Sequence, residues 1–107
     1  MEVFSSKRIK QRFNVDLKAE ISNAGLGIRN HQCRITNLSA TGACLSFETM
    51  LSCSAGMNID IQIFMPGTII HIPNSGEIMW VKQQHNAMDI GVKFKDNLSE
   101  IMMQQLI

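Results

Sequence analysis

Two short groups of residues in this sequence could bind an anion or a nucleotide base. The first group is Arg8 and Arg12, which form an R-x-x-x-R pattern. They lie in a basic arm, residues 1–12, which has a net charge of +3, whereas residues 13–107 have a net charge of −2. Such an arm either attracts an anion or is simply a solvated and mobile tail.

The second group lies in residues 37–42, where Asn37, Ser39 and Gly42 form an N-x-S-x-x-G pattern. The Asn37 and Ser39 side chains can hydrogen-bond to nearby backbone amides or point outward. Gly42 can adopt a positive φ or let another molecule approach the backbone closely. Because six residues are more than a tight hairpin needs, we expect a connection with room for a ligand. The alternative is a plain turn.

The elements that must position these residues are mostly strands. Phe13, Val15, Leu17, Ala19 and Ile21 alternate with polar residues, and this period of two predicts a half-buried strand. Similar patterns separated by turn residues predict further strands over 28–36, 43–47, 57–65, 77–82 and 88–94, with an additional strand over 68–72 that Pro73 would end. We expect Trp80 to be mostly buried.

The last segment changes to a helical period. Leu98, Ile101, Met102 and Leu106 recur at helical spacing, and Asn97 could cap this helix with Glu100 as its capping-box partner. Six or seven short antiparallel strands followed by one helix predict an all-β class, a small barrel or sandwich with the helix covering one end.

Composition limits the possible functions. A chain of 107 residues, 45% hydrophobic, suits one globular domain. No apolar run is long enough to span a bilayer, so we expect no membrane insertion and no signal peptide. The three cysteines lack a pairing or zinc-ligand spacing, so we expect reduced thiols and a cytoplasmic location. The histidines are scattered, so we expect no metal site and no catalytic residue. The chain is therefore not expected to be an enzyme.

Taken together, in this order and spacing, the two patterns resemble the PilZ domain family, whose members bind the bacterial second messenger cyclic di-GMP. The segment around Trp80 is similar to the family's V-x-W strand, and residues 90–94 are similar to its G-v-x-F strand. The resemblance covers nearly the whole chain. It implies a six-stranded antiparallel split barrel over residues 13–107, with a short C-terminal helix from about residue 98.

The resemblance also implies the ligand and its binding residues: Arg8, Arg12, Asn37, Ser39 and Gly42, with Arg34 as a possible auxiliary residue. Guanidinium groups suit this ligand because they can bridge phosphate oxygens, donate to guanine O6 and N7, or stack on a base. The expected function is that of a non-enzymatic cyclic di-GMP receptor without a cofactor. It would signal to a downstream protein partner through ligand-induced ordering of the arm, residues 1–12, which we expect to be mobile without ligand.

Two alternatives belong to other functional classes. One is a PilZ-like adaptor that acts by protein contact and binds no nucleotide, although the intact motifs argue against it. The other is a barrel that binds single-stranded nucleic acid, which normally needs a basic groove with stacking aromatic residues. We expect no DNA or RNA partner, because residues 13–107 are net negative and contain no Tyr.

Overall fold

A computed structural model describes residues 11–107, so Arg8 and the rest of residues 1–10 lie outside the described part of the chain. The prediction of a mobile arm therefore concerns mainly residues that the structure does not describe. In order along the chain, the elements are β1 (Phe13–Asn23), a 3₁₀ turn (Ala24–Leu26), β2 (Ile28–Ser39), β3 (Gly42–Phe47), β4 (Asn58–Phe64), β5 (His71–Gln84), β6 (Ala87–Phe94) and α1 (Glu100–Leu106).

The six strands form a closed antiparallel barrel in the order β1-β2-β3-β6-β5-β4, with β4 pairing back onto β1. The predicted six-stranded all-β barrel with a short C-terminal helix is thereby confirmed. Inward-facing side chains fill the barrel, as the alternating patterns predicted: Leu17, Ala19 and Ile21 from β1, Ile59, Ile61 and Ile63 from β4, and Ile90, Val92 and Phe94 from β6 are all buried. Within residues 11–107, no helix is both long and apolar enough to span a membrane.

The prediction of a separate strand over 68–72 is wrong. Residues 71–84 form one strand that continues through Pro73. Residues 71–75 pair only with β4, and the pairing with β6 begins at Gly76. Pro73 therefore has β4 as a strand neighbour on one side and no strand neighbour on the other. On that unpaired side its missing N–H removes no ladder hydrogen bond.

Helix α1 begins two residues later than predicted, and its N-cap is Ser99 rather than Asn97. The Ser99 Oγ accepts a hydrogen bond from the Met102 N–H at 3.1 Å, which satisfies one of the helix's otherwise unpaired amides. Leu98, Met103 and Leu106 are buried in the same core as the strands. The helix therefore packs on the barrel, as expected.

The prediction that Trp80 is mostly buried is also wrong, since the side chain is 46% exposed. Ile78 pairs with Val92 and Trp80 pairs with Gly91, so β5 contains one extra residue, Met79, at this point. A bulge of this kind reverses the alternation of inward and outward side chains. Trp80 consequently lies on the outer surface of the barrel.

Candidate functional site

The predicted six-residue connection at 37–42 is shorter than expected. β2 continues to Ser39 and β3 begins at Gly42, so only Ala40 and Thr41 form the turn. Two backbone hydrogen bonds attach this turn to the end of β6 and to the segment that leads into α1. The Phe94 N–H donates to the Thr41 carbonyl and the Leu98 N–H to the Ala40 carbonyl, both at 2.8 Å. The turn is therefore part of the scaffold that connects β6 to α1.

Ser39 lies inside this turn, with its side chain only 1% exposed. Its Oγ accepts a hydrogen bond from the Thr41 N–H at 3.3 Å and lies 3.4 Å from the Gly42 carbonyl, to which the hydroxyl donates. The Thr41 hydroxyl is 3.2 Å away as well. These contacts mean that Ser39 holds the shape of the turn.

Gly42 is buried where β3 pairs with β6. Gly42 does not have a positive φ, so a left-handed backbone conformation is not the reason for glycine at this position. A Cβ added to Gly42 would instead lie closer than 3.0 Å to the Val92 carbonyl oxygen, which belongs to the backbone of β6. Glycine is required here because the two strands approach each other too closely for a side chain.

Asn37 and Arg12 are the two predicted residues that the structure brings together at the surface. The Arg12 Nη1 donates a hydrogen bond to the Asn37 Oδ1 at 3.2 Å, and the Asn37 Nδ2 donates to the Asn14 Oδ1 at 3.4 Å. Arg12 is exposed and Asn37 is partly exposed. Because a guanidinium has five N–H donors, the bond to Asn37 still allows Arg12 to bind an anion.

Arg34, the possible auxiliary residue, also lies on the outer surface of β2. Its Nε donates to the Asp16 Oδ1 at 2.6 Å, and its Nη2 lies 2.5 Å from the same oxygen. Both side chains are substantially exposed. The carboxylate therefore offsets part of the positive charge that Arg34 could offer to a phosphate.

Sequence reasoning missed that four further residues lie on the same surface as Asn37. The strand register places them in one row across the outer surface, which we call the cross-strand row: Asn14, Asn37, Cys44, Gly91 and Trp80, from β1, β2, β3, β6 and β5 respectively. Beside this row the pairing register shifts in three strand pairs, namely β1 with β2, β2 with β3, and β5 with β6. Bulges change the direction in which side chains point, so three of them close together produce a surface that regular strand pairing would not form. No local sequence signal marked it.

The Trp80 indole lies over Gly91 on the neighbouring strand. A Cβ at Gly91 would come closer than 3.0 Å to three atoms of the indole, namely Nε1, Cε2 and Cδ1. The absence of a side chain at Gly91 therefore allows the ring to lie against β6.

The cysteines show no sign of nucleophilic chemistry. Burial raises the pKa of the Cys44 thiol, although a hydrogen bond with Thr36 and the charge of Arg12 act in the opposite direction. Burial, with a smaller contribution from Glu20, raises the pKa of Cys33 to about 12. Both thiols are therefore neutral at physiological pH. Among residues 11–107, no group of three or more His, Cys, Asp or Glu side chains is placed to hold a metal ion.

Comparison with known proteins identifies the family. The family model described as "PilZ domain" matches residues 6–107. A search of curated protein sequences gave no significant match.

Similar solved structures agree with this family. They include the Bacillus subtilis inhibitor of motility MotI/DgrA (TM-score 0.69, 14% identity, covering 89% of this chain and 45% of that one). They also include the PilZ domain of Escherichia coli YcgR with c-di-GMP (TM-score 0.65, 15% identity, covering 90% of this chain and 82% of that one). A third is Borreliella burgdorferi PlzA in complex with c-di-GMP (TM-score 0.59, 20% identity, covering 97% of this chain and 41% of that one). The chain thus spans less than half the length of MotI and PlzA. The barrel, its terminal helix and the match over residues 6–107 together show that the chain belongs to the PilZ domain family.

Proposed function

We propose that this chain is a receptor for cyclic di-GMP, which it binds through Arg8, Arg12 and Asn37 on a surface shaped by Ser39 and Gly42. The observation that carries the proposal is the hydrogen bond from Arg12 to Asn37, because it joins the R-x-x-x-R pattern to the N-x-S-x-x-G pattern. The ligand in the similar YcgR and PlzA structures supports the same chemistry.

Each motif residue has a distinct part in this proposal. Arg12 and Arg8 supply charge-assisted, two-pronged hydrogen bonds to phosphate oxygens or to the O6 and N7 of guanine. Asn37 orients Arg12 and offers an amide to a base edge. Ser39 and Gly42 act indirectly, because they fix the turn and the spacing of β3 and β6 beneath the surface. Arg34 adds positive charge nearby, which Asp16 partly offsets.

The proposed signal step is the fixing of residues 1–12 against the barrel when the ligand binds. Arg12 is the last residue of the arm, so a ligand held at Asn37 lies beside the point where the arm joins β1. The fixed arm then presents a new surface to a downstream protein partner. Amide hydrogen exchange should slow in residues 1–12 on adding cyclic di-GMP, and unchanged exchange there would exclude this step.

Titration calorimetry with cyclic di-GMP tests the proposal, with GMP and GTP as control ligands. The parent chain should bind cyclic di-GMP. Arg12→Ala and Arg8→Ala should each lower the affinity by about tenfold to a hundredfold, since a hydrogen bond to a charged group contributes roughly 1.5–3 kcal/mol. Arg12→Lys should restore little of this loss because lysine keeps the charge without the fork.

The thermal stability of the ligand-free Arg12 variants serves as the control. It should match that of the parent, because Arg12 is exposed and precedes β1. Absence of binding heat from a correctly folded parent would refute the receptor function. It would favour the adaptor, which acts by protein contact alone.

A further inference from the structure

The hairpin that joins β4 to β5 carries no charge and exposes two large apolar side chains. Residues 61–76 contain no Asp, Glu, Lys or Arg. Residues 65–70 form the turn, which we call the hairpin tip. Within the described part of the chain, Ile69 is the most exposed large hydrophobic residue, at 94%, and Ile70 beside it is 57% exposed. Neighbouring apolar side chains exposed on an uncharged segment indicate a contact surface.

Hydrogen bonds hold the hairpin tip in one shape. The Met65 N–H donates to the Ile70 carbonyl at 2.9 Å, and the Thr68 N–H donates to the Met65 carbonyl at 3.3 Å. The Thr68 hydroxyl donates to the Met65 carbonyl and accepts from the Ile70 N–H, both at 3.1 Å. Gly67 has a φ of 72°, a left-handed conformation that suits glycine. Because the tip is already ordered, burying Ile69 against another molecule costs little further conformational entropy.

A surface depression of about 530 Å³ lies between the hairpin tip and β1. It is open because β1 pairs with β4 only over residues 19–22, which leaves residues 13–18 unpaired with β4. Leu17, which contributes to its wall, is buried, and Phe64 and Met65 in the same wall are partly buried. The depression therefore offers apolar surface to whatever enters it.

The charges around the depression suit an uncharged occupant. The Asp16 carboxylate pairs with Arg34, so these two charges compensate each other within the chain. Lys18 is exposed at the rim, where its ammonium group can stay hydrated. An apolar side chain can therefore enter the depression without leaving a buried charge unpaired. The uncharged hairpin tip has this chemistry.

The projecting tip and the depression lie side by side on one molecule, so a twofold axis can fit each of them to its counterpart on a second copy. We propose that they form an interface between two copies of this chain, in which Ile69 of each copy lies in the depression of the other. The same contact is then made twice, and both exposed tips are buried together. This inference goes beyond the receptor function and does not depend on ligand binding, so a failure of the calorimetric test leaves it standing.

The interface should be weak because it is small. Ten residues line the depression, whereas a standard interface has about 20–30 residues a side. We therefore expect a Kd of about 10 μM to 1 mM. Sedimentation equilibrium of the ligand-free chain should show a mass that rises from monomer towards dimer as the concentration increases. A chain that stays monomeric up to about 1 mM would refute the interface and assign the tip to a different partner.

A charge on the hairpin tip tests which surface forms the dimer. Ile69→Asp should raise the Kd of self-association at least about tenfold, because it places an unpaired charge at the centre of the contact. Ile101→Asp is the matched control, since Ile101 is a 70% exposed isoleucine on α1, outside the hairpin tip. This control should associate like the parent, and both variants should melt like the parent because the replaced side chains are exposed. Equal self-association of the two variants would exclude the tip as the interface.

Cysteine variants test the reciprocal geometry. In a Cys44→Ser and Cys53→Ser background, the remaining Cys33 is buried and unreactive. Ile69→Cys then places a thiol on the tip, and Lys18→Cys places one at the rim of the depression. Under mild oxidation, a mixture of the two proteins should give more disulfide-linked dimer on a non-reducing gel than either protein alone. Linked dimer formed mainly by Ile69→Cys alone would mean that tip meets tip, and it would overturn the reciprocal arrangement.

Discussion

Replacing Gly42 with alanine distinguishes two explanations for the last residue of the N-x-S-x-x-G pattern. If Gly42 lets a ligand approach the backbone, the variant should fold normally and bind cyclic di-GMP weakly. The structure supports the other explanation, because an added Cβ would lie closer than 3.0 Å to the Val92 carbonyl oxygen. A backbone atom in a paired strand cannot move away as the end of a flexible side chain can, so we expect Gly42→Ala mainly to destabilise the fold.

The size of the effect follows from two opposing contributions. Overpacking a buried position costs about 1–3 kcal/mol, and a backbone obstacle belongs at the upper end of that range. Alanine also reduces the conformational freedom of the unfolded chain, which stabilises the protein by about 0.4–1 kcal/mol. The net loss should be about 2 kcal/mol. For a domain of this size it should lower the melting temperature by roughly 10 °C.

Urea unfolding followed by circular dichroism measures this loss, and Gly25→Ala is the matched control. An added Cβ at Gly25 would meet only the Asn23 Oδ1, at an ordinary contact distance of 3.4 Å, so this variant should be at least as stable as the parent. A Gly42→Ala protein that unfolds like the parent but binds cyclic di-GMP weakly would refute the strand-packing explanation.

Three further variants test other parts of the structure. Ser39→Ala should lower the free energy of unfolding by about 1 kcal/mol through its lost turn hydrogen bonds, and an unchanged urea midpoint would contradict this role. Asp16→Asn should free Arg34 and, if that residue is auxiliary, raise the calorimetric affinity by about 1.5-fold to fivefold at low salt, with little gain at high salt. Burial raises the pKa of Cys33 to about 12, so between pH 9.0 and about 12 the folded state retains the thiol proton while the unfolded state loses it. The free energy of unfolding should therefore fall as pH rises through this window. Cys33→Ala should reduce that fall in urea unfolding at several pH values, and identical pH profiles for the variant and the parent would show that the thiol does not contribute.

Much of the architecture could be predicted from the sequence because strand alternation is a local property. Residues 13–21 showed their buried face by period alone, and that face lines the barrel core. The order of the motifs among the strands was enough to suggest the PilZ family. The terminal helix was visible from its change of period, although Ser99, rather than Asn97, caps it.

The tertiary structure decided where the motif residues and their neighbours lie and what they contact. Trp80 and Pro73 were both misinterpreted because bulges and strand edges depend on partner strands, which local sequence does not specify. For the same reason, the sequence could not show that Ser39 points into its own turn, or that the backbone of β6 is what excludes a side chain at Gly42. The meeting of Asn37, Cys44 and Trp80 on one surface depends on the register of five strands, and register is set only when the barrel closes.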